Sequence, residues 1–187
     1  SGPTALPGKY TVRLTVDGRQ LTQSLVLRMD PRVRTSQSDI EKMFAVSKGC
    51  FDGIERIRKA QAEAESVRGQ LKSLLDRPVS ADIRQSIEDF DKGIVALAGR
   101  SAGLDFFGIS NREPGFAGLA NGLLSLMNLV EGADAAPTTQ AVAASNDLQR
   151  SVGELLSKWN SIRTTEIPRL NTRLRAANLP EIKPAGL

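Results

Sequence analysis

The stretch from Ser38 to Leu75 contains no proline and is the longest helical pattern in the chain. Ile40, Phe44, Phe51, Ile54, Ile57, Ala64, Val67, Leu71 and Leu74 recur mostly at three- and four-residue steps, which lines one face of a helix. Gly49, Gly53 and Gly69 weaken its intrinsic propensity. Ser38-Asp39-Ile40-Glu41 has the form of a capping box, in which a serine hydroxyl and a glutamate satisfy orphan amides at the helix start. Pro78 closes the other end. A helix of this length needs partners for its apolar stripe, and the rest of the chain is expected to supply them.

With 187 residues, the chain fits one domain, or one domain with a fragment of a neighbour, and it can bury a sizeable core. Aromatics make up only 4% of it, so that core must be built from Leu, Ile, Val and Ala, which suits helices better than a sandwich. The net charge of +4 is confined to one end. Lys9, Arg13, Arg19, Arg28, Arg32 and Arg34 stand against Asp17 and Asp30 in the first 35 residues, and the remainder is balanced. The helical part therefore lacks the cationic excess that phosphate binding favours, and no nucleic-acid partner is expected. Histidine is absent, which excludes imidazole acid–base chemistry, His-dependent triads and HExxH zinc sites. Cys50 is the single cysteine and reads as a small core residue beside Phe51. No run approaches the ~18 apolar residues of a membrane span, so no membrane partner is expected. Ser1-Gly2-Pro3 has the look of a cloning remnant, and the lack of a signal peptide says nothing about a parent protein.

Tyr10 to Val16 alternates apolar and polar residues with period two. Asp17-Gly18 follows, a dipeptide preferred in two-residue type I′ turns, and Leu21 to Met29 reads as a returning strand. That register opposes Val16 to Arg19, Leu14 to Leu21 and Tyr10 to Leu25, gathering Tyr10, Val12, Leu14, Leu21, Leu25 and Leu27 on one face. A lone hairpin is marginal in water. Its apolar face either packs on the helices or belongs to a preceding sandwich whose remainder is missing.

Asp30-Pro31 leaves the sheet. After helix 1, a second helix starts at Ser80 and carries Ile83, Ile87, Phe90, Ile94 and Leu97 in coiled-coil steps. Arg100 to Gly115 reads as a glycine-rich loop. Helix 3 is expected at roughly 116–131, where Gly118, Ala120 and Gly122 permit close approach. Pro137 and its threonines signal a fourth helix with Leu148, Val152, Leu155, Trp159 and Ile162, which Pro168 should kink or break. The fold class expected is mainly α, an up-down four-helix bundle of two long and two short helices. Residues 1–34 form the hairpin segment and 35–187 the bundle. If short connections make neighbours antiparallel, helices 2 and 3 flank only the far half of helix 1. The near half, with Phe44 and Phe51, is then left against the Trp159–Leu170 end of helix 4. The hairpin is predicted to pack on that end, with the loop bearing Phe106 and Phe107 tucked against it.

Few candidate sites stand out. Glu88, Asp89 and Asp91 lie off the apolar seam of helix 2 and read as a solvated face, as do Glu63 and Glu65 among alanines. Gly115-Phe116-Ala117-Gly118 lacks the Gly-Lys-Ser/Thr of a phosphate loop. Phe106, Phe107 and Ile109 form either core or, if exposed, a partner-binding surface. Arg13 and Arg28 face outward from the hairpin. No catalytic, cofactor-binding or metal-ligating residue emerges.

The string Pro7-Gly8-Lys9-Tyr10-Thr11-Val12-Arg13-Leu14-Thr15-Val16-Asp17-Gly18, with Thr22-Gln23 and Asp30-Pro31-Arg32-Val33, resembles the C-terminal region of large bacterial proteins. These carry an N-terminal sortilin-like or BNR-repeat β-propeller and are often labelled glycosyl-hydrolase-like. Ala133 to Ala141 and Ile167-Pro168-Arg169-Leu170-Asn171 also look like that region. The resemblance implies a terminal helical bundle after a sandwich-like segment, an extracytoplasmic parent and a propeller domain as partner. No propeller aspartate motif maps onto these residues. The expected function is a non-catalytic accessory or interaction module without cofactor. The alternatives are a carbohydrate-active enzyme, using paired carboxylates near residues 101–115, and a self-associating helical module.

Overall fold

A computed structural model describes residues 2–99 and 115–184 of the protein. Strands β1 (Gly8–Val16) and β2 (Arg19–Leu27) precede helices α1 (Gln37–Leu75), α2 (Ala81–Ala98), α3 (Phe116–Glu131) and α4 (Thr139–Ser161). A π-helical turn, Ile162–Glu166, then joins α4 to α5 (Ile167–Ala176). The helical bundle with an N-terminal hairpin, two of its helices long and two short, is the architecture the sequence predicts.

Most helix starts follow from short polar side chains. Ser80 and Thr138 cap α2 and α4 by accepting from the amides of Ile83 and Ala141. For α1 the cap is Ser36 rather than Ser38: its hydroxyl accepts from the amide of Asp39, and Glu41 instead accepts from the Gln37 side chain at 2.9 Å. Asp39 in the first turn suits the positive end of the helix dipole. Pro168 does not break the last helix, because the π turn carries the chain through as a continuous rod.

The arrangement differs from the predicted one in a way that residue pairs make plain. Arg68 of α1 bonds Asp91 of α2, and Leu75 accepts from Arg84, so α2 runs antiparallel to α1 along its far half. Ser47 bonds Glu131, and Gly53 lies against Leu123, so α3 runs antiparallel along the near half. Both short helices therefore point the same way, end to end. At their junction the backbones of Gly99 and Gly115 abut, leaving no room for a Cβ on Gly115. At 18 and 16 residues they add up to a broken rod of about 50 Å, close to the ~58 Å of α1. The third rod runs parallel to α1: Gln149 donates to the Gly49 carbonyl at 2.7 Å, Trp159 to Glu63 at 3.0 Å, and Arg173 pairs with Asp82 of α2 at 2.8 Å.

Three rods of similar length leave no overhang, which is why the hairpin covers none. Among the described residues, its strands contact each other and no helix. The core is instead closed beyond α5 by the tail. Ile182 is buried while the Asn171 amide pairs with its backbone at 2.8 Å on both sides, and Gln70 does the same for Lys183. Phe106, Phe107 and Ile109, and the loop expected around them, lie outside the described residues. No helix among the described residues is long and apolar enough to cross a membrane.

Candidate functional site

The hairpin forms with the register its sequence predicts, from Gly8 opposite Leu27 to Val16 opposite Arg19. Asp17 and Gly18 both adopt positive φ, 48° and 78°, the geometry of a type I′ turn. Opposed residues point to one side of the sheet. Tyr10, Val12, Leu14 and Val16 therefore share a face with Leu21, Leu25 and Leu27, and all seven are exposed; Gln23, opposite Val12, is the one uncharged polar side chain among them. The other face holds Lys9, Arg13, Thr11, Thr15, Gln20, Thr22 and Ser24, with Val26 as its one large apolar residue. Arg19, at the turn, is the only charge on the apolar side.

Both feet of the ribbon are fastened to the bundle. Leu6 and Met29 pack against the core on either side of it. The Thr4 amide and hydroxyl donate to the Glu131 carboxylate at 2.9 and 3.2 Å, and the Ser47 hydroxyl donates to the same carboxylate. These donors compensate for a negative charge at the C-terminal end of α3, where the helix dipole disfavours it. The Tyr10 hydroxyl bonds the Leu6 carbonyl at 2.6 Å, tying strand to foot. On the return side Arg32 grips Asp30 through its guanidinium and its amide, which holds the Asp30 carboxyl below the usual aspartate range. The Thr35 hydroxyl donates to the Asp134 carbonyl.

The bundle offers less. An open cleft of about 400 Å³ between α2 and α5 is lined by Asp82, Asp89, Phe90, Glu166, Arg169 and Arg173, among others. Asp82 is taken up by Arg173. Lys92, then Gln85, hydrogen-bond Asp89 and push its carboxyl pKa down, away from what a proton donor requires. Of the acidic trio on α2, Asp91 bridges to Arg68 at 2.7 Å, so only Asp89 lines the cleft. Glu63 is not on a solvated face: it is buried against Trp159, with Arg163 at 3.6 Å. Glu65 is exposed and accepts from Gln61. Cys50 is fully buried, and desolvation raises its thiol pKa despite a hydrogen bond with Ser145, leaving it an inert core residue. Gly115 caps α3 without a side chain and serves the close junction with Gly99. Among the described residues, no group of three or more acidic or cysteine side chains is placed to hold a metal, and no buried side-chain polar atom lacks a partner.

Among the described residues, the largest cluster of exposed apolar side chains is on the ribbon, which also presents two unpaired strand edges. No family model matches the chain, and no curated protein or solved structure matches it either.

Proposed function

We propose that the chain is a non-catalytic accessory module in which a helical bundle serves as a base for a docking hairpin. The observation that carries this reading is the uncovered apolar face of β1 and β2, held at both feet yet free of the helices. Exposed apolar patches of this size mark interaction surfaces. The resemblance of residues 7–33 to the C-terminal region of propeller-containing, glycosidase-like bacterial proteins supports placing the module in an extracytoplasmic parent of that kind, with the parent's propeller as its neighbour.

The test removes the ribbon. Replacing residues 8–27 by a short glycine linker is sterically simple, because Gly8 and Leu27 are strand partners. The helical melting temperature should move by less than ~3 °C, since the strands lend the bundle no packing. A bundle that unfolds without them overturns the docking reading. Hydrolysis of aryl glycosides by the intact chain would overturn its non-catalytic part.

A further inference from the structure

We propose that the apolar face of the hairpin is the contact through which two copies of this chain associate, ribbon on ribbon, as a four-stranded sandwich. This rests on the reading of the ribbon as a docking surface and names its occupant. Seven residues 38–67% exposed amount to roughly 600 Å² of accessible surface, so two such faces pressed together remove at most about 1,200 Å², the lower edge of what specific interfaces bury. That size fits a reversible dimer. Two strands alone are marginal, whereas four strands sharing a core meet the minimum for a stable sheet structure.

Charge placement favours a second copy over repulsion between copies. Lys9, Arg13 and Arg28 sit on or beside the far face, turned away from the contact. Arg19 shares the apolar face but lies at the turn, and with the two ribbons antiparallel the turns fall at opposite ends of the interface, about 30 Å apart. Edge-to-edge pairing would satisfy backbone groups but leave the apolar face in water, so stacking removes the larger unfavourable surface. The seams of the helices cannot serve instead, because Ile83, Ile87, Ile94, Val152, Leu155 and Trp159 are already buried within one chain.

Sedimentation of the full chain from about 1 to 500 µM tests this, beside the double variant Leu14→Lys/Leu25→Lys and the far-face variant Arg13→Glu. The chain and Arg13→Glu should both move towards twice the mass of one chain and stop there. Leu14→Lys/Leu25→Lys should stay at one, with helical dichroism and melting unchanged. A single-chain mass throughout, growth beyond two, or a double variant that dimerises like the parent would each overturn the proposal. Hydroxyl-radical footprinting of Leu14 and Leu25 then separates the two readings. If the chain is monomeric and these side chains are labelled, the dimer fails while the docking surface stands for another occupant. If the monomer shields them, both fail.

Discussion

Glu63 and Trp159 illustrate how a single polar contact is settled inside this molecule. Glu63 lies among alanines and reads as solvent-facing, yet a tryptophan on a parallel helix carries an indole N–H into the core that must find an acceptor. The carboxylate supplies it, and the half-buried Arg163 offsets the charge. Trp159→Phe removes the donor and leaves the carboxylate buried beside Arg163 alone, which should cost roughly 1–3 kcal/mol. Glu63→Gln keeps an acceptor for the indole and weakens mainly the longer, part-exposed ion pair, so it should cost less, on the order of 1 kcal/mol. Urea unfolding at constant m resolves the two, and a larger loss for Glu63→Gln would show that the ion pair dominates. Gly53 is a further case. Its lack of a side chain reads as a weak point in α1, but a Cβ there would stand 2.9 Å from Leu123 and 3.2 Å from Gln149, so the glycine is where three helices meet.

At the level of elements, the π turn has a cause visible in the spacing of the seam. Buried residues on the third rod step as Ala141, Ser145, Val152, Leu155, Trp159 and Ile162, and an α-helix would next bring Glu166 inward. The turn inserts one extra residue, with the Ile167 amide reaching the Ile162 carbonyl, and so turns Ile167, Leu170 and Leu174 inward instead. Pro168, lacking an N–H, sits in the first turn of α5, where it is tolerated. Deleting Thr165 should therefore restore a plain α-helix with the seam still in phase and shift melting by only a few degrees. Deleting Ser157, which is exposed but lies before Trp159, rotates Trp159 and Ile162 off the seam by about 100° and should cost far more stability. Equal losses from the two deletions would mean that the turn does not rephase the helix.

Across the whole molecule, ionisation predicts a flat response to pH near neutrality. There is no histidine, and burial raises the thiol pKa of Cys50. Asp30, Asp39 and Asp89 are instead held below the ordinary aspartate value of about 4 by hydrogen bonds from Arg32, Lys42 and Lys92 respectively. A carboxylate whose folded pKa is depressed adds stability that is complete above its unfolded value and is lost as pH falls through the folded one. Melting temperature should thus be level from pH 5 to 8 and decline only below about 4; a step between 6 and 7 would contradict this. Much of the molecule is legible in the chain itself. The ends of α2 and α3, the start of α4 and the register about Asp17-Gly18 follow from caps, turn chemistry and periodicity, all of which act within a few residues. The direction of α3 does not, since it is set by contacts between residues distant in the chain: Ser47 with Glu131, Gly53 with Leu123, and the abutting backbones of Gly99 and Gly115. With the rods thus matched in length, the hairpin has no helical gap to fill and its apolar face stays in water. Local sequence dictates which residues form each element and which face is apolar, whereas what that face meets depends on distant parts of the chain whose lengths add up only once they are packed.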